Sequence, residues 1–414
     1  NLKAIAVSGS GKIPVYNLAA YRKVRSAANR ALREDTMSQT LREVGTASVA
    51  EYFNYLGSLP KKYYSQGEMD GVEKISGTTI AEKNLVGVSA CHSCVVACGR
   101  VIRRDGMTEK QKGPEYETVA GFGPNLLIDD LDFIYQMNDL CDQYGMDTIS
   151  TSGTIGFAFK LFEDGVLSTA DTGGIPLKWG DQFAVKSLVK MIATREGFGR
   201  LLGDGTRVLG EKFGVVEQAV EVNGLEVAYH DPRGVSGMAL VYATSPRGAC
   251  HNQSDYFFVD IGQADEDLGL KLLSRQAGAV KARNVAIHQN WRTVFNSLVM
   301  CIFGNVAPNE VVDLIRTGCG YDWTIEEMLK TGERGWNIKR AINNRLGVER
   351  KNDRLPKPLL RILEDGGAAG YKIPFEEMLT AYYHVRGWDW NTGFPSREKL
   401  EDLDLGFVIK DIWK

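Results

Sequence analysis

Long apolar runs are the first thing missing. Nowhere do the 414 residues string together the roughly 20 apolar side chains that cross a bilayer as a helix, and the opening residues do not read as a signal peptide. Excess charge of one sign is missing too. The 49 basic and 52 acidic residues leave a formal net charge of −3, which offers no basic footprint for nucleic acid. Cysteine is scarce and odd in number, seven in all, which excludes a small secreted scaffold held by paired bridges. That usage is read as a reducing, cytoplasmic compartment in which clustered cysteines are expected to hold metal. Repeats and low-complexity tracts are absent. What is left is an ordinary globular composition, 43% hydrophobic and 24% charged, in a chain long enough for two or three domains with buried cores.

Helical periodicity dominates. In "DDLDFIYQMNDLCDQYGMDTIS", Leu131, Ile134, Met137, Leu140, Cys141 and Tyr144 recur at steps of three and four behind an Asp129 or Asp130 cap. "TSGTIGFAFKLFEDG" reads as a second helix ended by Gly165. Further helices are expected within 17–56 and near 183–195, 199–213, 265–284, 308–317, 324–345 and 374–384. Residues 57–88 read as polar and irregular. Strand alternation is confined to about 94–102 and 219–228, and to the opening "NLKAIAVSGSGKIPVYN", which reads as a hairpin. Its "GSGK" is no phosphate loop, because Ala6 and Ile13 stand where that motif needs Gly and Ser or Thr. The fold expected is mainly α, multihelical and two-domain, with short strands at the N-terminal edge.

"CHSCVVACGR" places Cys91, Cys94 and Cys98 within eight residues. Gaps of two and three residues let three thiolates converge from one tight loop, whereas buried core thiols would not sit beside polar His92 and Ser93. A structural zinc site would want a second Cys or His pair at finger spacing, and no second C-x2-C exists. A four-iron cluster needs one more ligand, often from far along the chain. Cys141 lies on an apolar helix face and Cys319 in a turn; composition does not choose between Cys250 and Cys301.

Six ordered blocks together resemble the tungsten-dependent aldehyde:ferredoxin oxidoreductase family. They are "CHSCVVACGR", "GPEYETVAGFGPN", "CDQYGMDTIS", "VNGLEVAYHDPRG", "ALVYATSPRGACH" and "YYHVRGWDWNTGFPSREKLEDLDL". The resemblance implies that residues 1–16 end a missing N-terminal pterin-binding β domain. It makes 17–215 a helical domain with the cluster loop and first pterin loop, and 216–414 a helical domain with the second pterin loop and the fourth cysteine. It implies a [4Fe-4S] cluster on Cys91, Cys94, Cys98 and Cys301, and a tungsten or molybdenum bis-pyranopterin shared with the missing domain. Pterin contacts are implied for Asp142, Gly145, Met146 and Asp147 in the first loop, and for Asn296 and Met300 in the second, "NSLVMC". That second loop departs from the family's D-x-x-G-L-C pattern: Asn296 replaces Asp and Val299 replaces Gly, and the Asn carbonyl keeps an acceptor but loses charge.

Glu117 matches the family's pocket glutamate, with Glu115 its rival, and His251 matches the histidine near the metal. His230 is a secondary candidate, while His92, His288 and His384 are expected to be structural. The reaction implied is oxidation of a small aldehyde to a carboxylic acid, with electrons leaving through the cluster to ferredoxin or an iron–sulfur subunit. Gln136 and Asp139 stand where some members place E-x-x-H ligands for a dimer-bridging metal, so a homodimer is expected to do without that metal. Two other readings are the tungsten subunit of a benzoyl-CoA reductase on the same scaffold, and a non-catalytic helical protein stapled by zinc.

Overall fold

A computed structural model describes residues 4–413. The protein is mainly helical, and among the described residues no helix is long and apolar enough to cross a membrane. Its principal core is continuous from Ala28 to Trp388, and a small satellite core forms around Ala341, Leu400, Leu403 and Leu405.

The helix Leu131–Tyr144 forms where its periodicity predicts. The Asp130 carboxylate accepts from the amides of Asp132 (3.0 Å) and Phe133 (3.2 Å), satisfying first-turn donors. Ile134, Met137 and Cys141 are buried, and Gly145 ends the helix at φ 65°. The next helix, Thr148–Glu163, starts on the Asp147 carboxylate, which accepts from Ser150 N at 2.7 Å. Its middle is buried on every side, so it serves as a central rod. The short helix Tyr116–Phe122 lies against that rod. Gly121 makes this approach feasible, since a Cβ there would stand 2.2 Å from Ser152 Oγ and 2.7 Å from the Tyr229 ring.

Strand structure is sparse. β1 (Leu85–Ser89) pairs antiparallel with β2 (Gly99–Ile102), and β2 with β3 (Gln111–Lys112). Ser89 faces Gly99, so the whole cysteine segment is the loop of a hairpin. β4 (Glu221–Val222) and β5 (Leu225–Glu226) form a tight hairpin over Asn223 and Gly224, both at positive φ.

Several sequence expectations need correction. Residues 4–15 have no regular structure; Ile5, Val7 and Ile13 are exposed, and alternation without a partner strand buries nothing. The first three residues of that expected hairpin lie outside the described residues. The strands near 94–102 and 219–228 shrink to β2 and to the β4–β5 pair. The span 57–88 is less irregular than expected, since it carries the helix Gly77–Lys83 behind a Ser76 cap. The pattern at 199–213 breaks at Gly205 into two short helices.

The largest miss is 265–284. Only isolated 3-10 turns form there, interrupted by Gly269 at φ 75°. The real helix is Ala282–Leu298, packed along Ile325–Arg345 and Phe375–Arg386. Its buried face carries Asn284, His288, Gln289, Asn290 and Thr293, so polar side chains sit where apolar ones would have announced it.

Candidate functional site

The hairpin loop between β1 and β2 is bent by two non-glycine residues in the left-handed region, Ser93 (φ 59°) and Ala97 (φ 57°), and Cys94 N donates to Cys91 O at 3.1 Å. Arg100, buried at the loop's exit, donates to the carbonyls of Ala97 (3.0 Å), Cys98 (3.2 Å), Leu41 (3.1 Å) and Glu43 (3.0 Å). One guanidinium thus clamps the loop to an earlier segment. Sequence reasoning gave Arg100 no role, and only an arginine followed by carbonyl-rich turns could have hinted at it.

Cys301 comes to this loop from the end of the Ala282–Leu298 helix. Cys94 and Cys91 are its electrostatic neighbours, and Cys301 and Cys94 are those of Cys98. Burial, with Glu115 and the thiols of Cys301 and Cys94, pushes Cys98 up to about 11. Cys91 and Cys301 are exposed, Cys94 and Cys98 half-buried, and all are free thiols. Cys141 lies in the core, the Cys250 thiol receives Arg247 Nε at 3.0 Å, and Cys319 ends an outer helix.

Two helix ends near this loop are built alike. After Leu131–Tyr144, Gly145 N donates to Asp142 O (3.2 Å) and Met146 N to Cys141 O (2.9 Å). After Ala282–Leu298, Val299 N donates to Asn296 O (3.4 Å) and Met300 N to Phe295 O (2.9 Å). Val299 adopts φ 57°, the left-handed turn that Gly145 makes freely. Asp142 and Asn296 are exposed, and Asp142 pairs with Lys112 at 3.2 Å. Asp147 caps the following helix. Gln136 and Asp139 are engaged on their own helix, Gln136 with Asp132 and Asp139 with Gln143.

A third constellation lies inside. Glu117, on the first turn of Tyr116–Phe122, accepts through Oε2 from Tyr229 N at 2.8 Å. Its Oε1 lies 3.2 Å from His230 Nε2 and 3.7 Å from His251 Nε2, and neither contact meets the geometry of a full hydrogen bond. The three donor atoms fall within 4.8 Å of one another. Desolvation pushes the Glu117 carboxyl up, but His251, His230 and the Tyr229 amide outweigh it and hold it below the usual range. His251 is itself held low, by burial first and then by His230 and Arg247, against Glu117 and Asp255. Glu115 is elsewhere: it accepts from Thr46 Oγ1 at 2.6 Å. The structure therefore separates the two rival glutamates and adds His230 to the group. His288 is buried against Ser254, and His92 and His384 are exposed.

Gathered thiols, and a carboxylate set between two imidazoles, on a mainly helical scaffold are a donor set suited to an oxidoreductase. The family model for aldehyde ferredoxin oxidoreductase, domains 2 and 3, matches residues 23–405. The chain belongs to that family. It is 35% identical to the tungsten-containing aldehyde ferredoxin oxidoreductase of Pyrococcus furiosus, over 98% of this chain and 67% of that protein. The corresponding Thermococcus kodakarensis protein is 32% identical over the same shares. The aliphatic sulfonate oxidoreductase, WOR-like subunit, of Pyrococcus furiosus is 27% identical over 100% of this chain and 65% of that one. Among solved structures, the active-site complex BamBC of benzoyl coenzyme A reductase shares the fold, with a TM-score of 0.73 at 19% identity over 98% of this chain and 68% of that chain.

Proposed function

We propose that this chain forms the helical part of a tungsten bis-pterin enzyme that oxidises an aldehyde to a carboxylic acid. The overall change is RCHO + H2O → RCOOH + 2 H+ + 2 e−, with the electrons leaving to ferredoxin or an iron–sulfur subunit. Cys91, Cys94, Cys98 and Cys301 would hold a [4Fe-4S] cluster, and the twin helix ends at Asp142–Asp147 and Asn296–Met300 would hold the pterins. The gathering of the thiols and the unsatisfied Glu117 Oε1 support such occupants. Bound there, these groups supply two-electron oxidation and a one-electron relay.

The chain's own residues handle protons and orientation. Glu117, kept ionised in a buried pocket, accepts the proton of the attacking water through Oε1. His251 Nε2 borders the same oxygen and is placed to donate toward the aldehyde carbonyl. Both side chains are half-buried, 13% and 15% exposed, and the Oε1 atom itself is out of solvent.

The observation that carries this reading is a carboxylate whose Oε1 is out of solvent and without a hydrogen bond, set between two imidazoles. In the full-length enzyme, assayed anaerobically with aldehydes and a viologen dye, E117Q should lower kcat by about 10²–10⁴-fold and leave metal content intact. Wild-type protein should carry about four irons per chain together with tungsten or molybdenum. A preparation holding zinc and no iron would overturn the assignment in favour of a structural zinc protein. The altered second loop, Asn296 and Val299, favours a second reading, a relative acting in a benzoyl-CoA reductase-type complex. No turnover of any aldehyde, with turnover of an aromatic thioester or an aliphatic sulfonate, would select a different substrate on the same site.

A further inference from the structure

His230 is held more firmly than a bystander needs to be. Its ring is stacked on Phe257 at 3.9 Å and 12°, stacked on Tyr116 at 4.8 Å and 20°, and met edge-on by Phe53 at 5.2 Å. The backbone on either side is tied as well: Tyr242 Oη donates to His230 O at 3.0 Å, and Tyr116 Oη donates to Tyr229 O at 2.7 Å. The ring can neither tilt nor flip without moving three aromatic neighbours. In that fixed pose Nε2 lies 3.2 Å from Glu117 Oε1, off the line of a full hydrogen bond, and Nδ1 is buried without a partner. A lone pair on Nε2 would face the carboxylate lone pairs and repel them, so the ring proton belongs on Nε2.

We propose that His230 is a positioning residue: its Nε2–H, locked by the aromatic sandwich, keeps Glu117 ionised and aimed, and leaves His251 as the imidazole that faces substrate. The proposal rests on Glu117 being the base of the reaction. The two imidazoles differ in freedom, which supports the division of labour. The His251 ring is tilted 46° to His230 at 5.6 Å, and its Nε2 stands off Oε1 at 3.7 Å. The other titratable groups facing Glu117 are the phenols of Tyr64, Tyr116, Tyr229 and Tyr242, which burial keeps protonated. Asp255 and Arg247 face His251. Among the described residues, the ion-pair contacts of Glu117 are with His230 and His251 and with no lysine or arginine.

The sign of the effect follows. A donor to the ionised carboxylate lowers the pH at which it protonates, and removing the donor raises it. In the holoenzyme, H230F keeps the stacked ring and loses the N–H. The acid limb of the kcat/KM–pH profile should move up by about one pH unit, with kcat falling and KM little changed. H230Q, whose amide reaches the Nε2 position, should return the limb toward wild type. H230N, whose amide ends at the Nδ1 position, should not, and it decides the matter if H230F does not fold. A readout independent of turnover is isotope-edited infrared titration of the Glu117 carboxyl in cofactor-free protein, assigned by its loss in E117Q; H230F should shift that titration upward. An acid limb and a carboxyl titration unmoved in H230F or H230N, or moved equally in H230Q, would overturn the proposal. If E117Q itself stays fully active, the reading of Glu117 as base fails, a separate result from an unmoved H230F.

Discussion

At the residue scale, Val299 is the clearest departure from comfort. A β-branched residue at φ 57° costs roughly 1–2 kcal/mol relative to a right-handed conformation, and its side chain, 92% exposed, recovers nothing by packing. V299G should therefore stabilise the fold by about 0.5–1 kcal/mol, after allowing for glycine's larger unfolded-state entropy. Chemical denaturation of the two proteins checks it; a destabilised variant would mean that the side chain has a partner. Other residues show why a sequence is only partly legible at this scale. Glu115 and Glu117 read alike, and what separates them is Thr46, which takes one of them away. His230 reads as a lone histidine because its aromatic sandwich comes from Phe53, Tyr116 and Phe257, three distant segments.

Elements were legible where their burial follows an apolar stripe. Leu131–Tyr144 starts and stops where its capping aspartate and apolar face predict, while Thr148–Glu163 starts three residues before the expected Thr151, on the Asp147 cap. Ala282–Leu298 was hard to read because Asn284, His288, Gln289, Asn290 and Thr293 interrupt the apolar residues on its inward face. Arg386 donates to Gln289 Oε1 (2.7 Å), Asn290 Oδ1 (2.6 Å) and Ala286 O (3.1 Å), so hydrogen bonds replace apolar contact along that seam. His288 belongs to the same face. Burial first, then Arg292, lowers it from 6.5 to about 3 despite Asp255. A depressed folded-state value means the unfolded chain takes the proton first. Stability is full above about 6.5 and falls as pH drops toward about 3, and the lowered His251 adds to the loss in the same direction. H288N, whose amide can still meet Ser254, should flatten the decline between about pH 6.5 and 4.5 in equilibrium unfolding relative to wild type, a comparison in which Asp260, raised to about 6, contributes equally to both. An unchanged slope would place the acid sensitivity elsewhere.

Across the whole molecule, buried arginines join segments that are remote in sequence. Arg233 pairs with Asp231 at 2.6 Å and donates to Tyr64 O (2.7 Å), Pro358 O (3.3 Å) and Arg361 O (3.3 Å), stitching early, middle and late chain together. Lysine cannot reproduce that fork, and R233K should cost about 3 kcal/mol or more, read as a lower midpoint in denaturant. A loss below about 0.5 kcal/mol would show the junction to be dispensable. Such junctions leave no periodic trace, which is why "HDPRG" was legible as a family block and its structural use was not.

The matched helix endings at Gly145 and Val299 have a consequence for how such a site can diverge. Each turn carries the same pair of main-chain bonds, and neither of these uses the side chain just beyond the methionine. One copy fills that place with an acid that launches the next rod, the other with a thiol that launches none. A lineage could exchange donor for donor at those two spots and acquire a new guest while its scaffold stayed still.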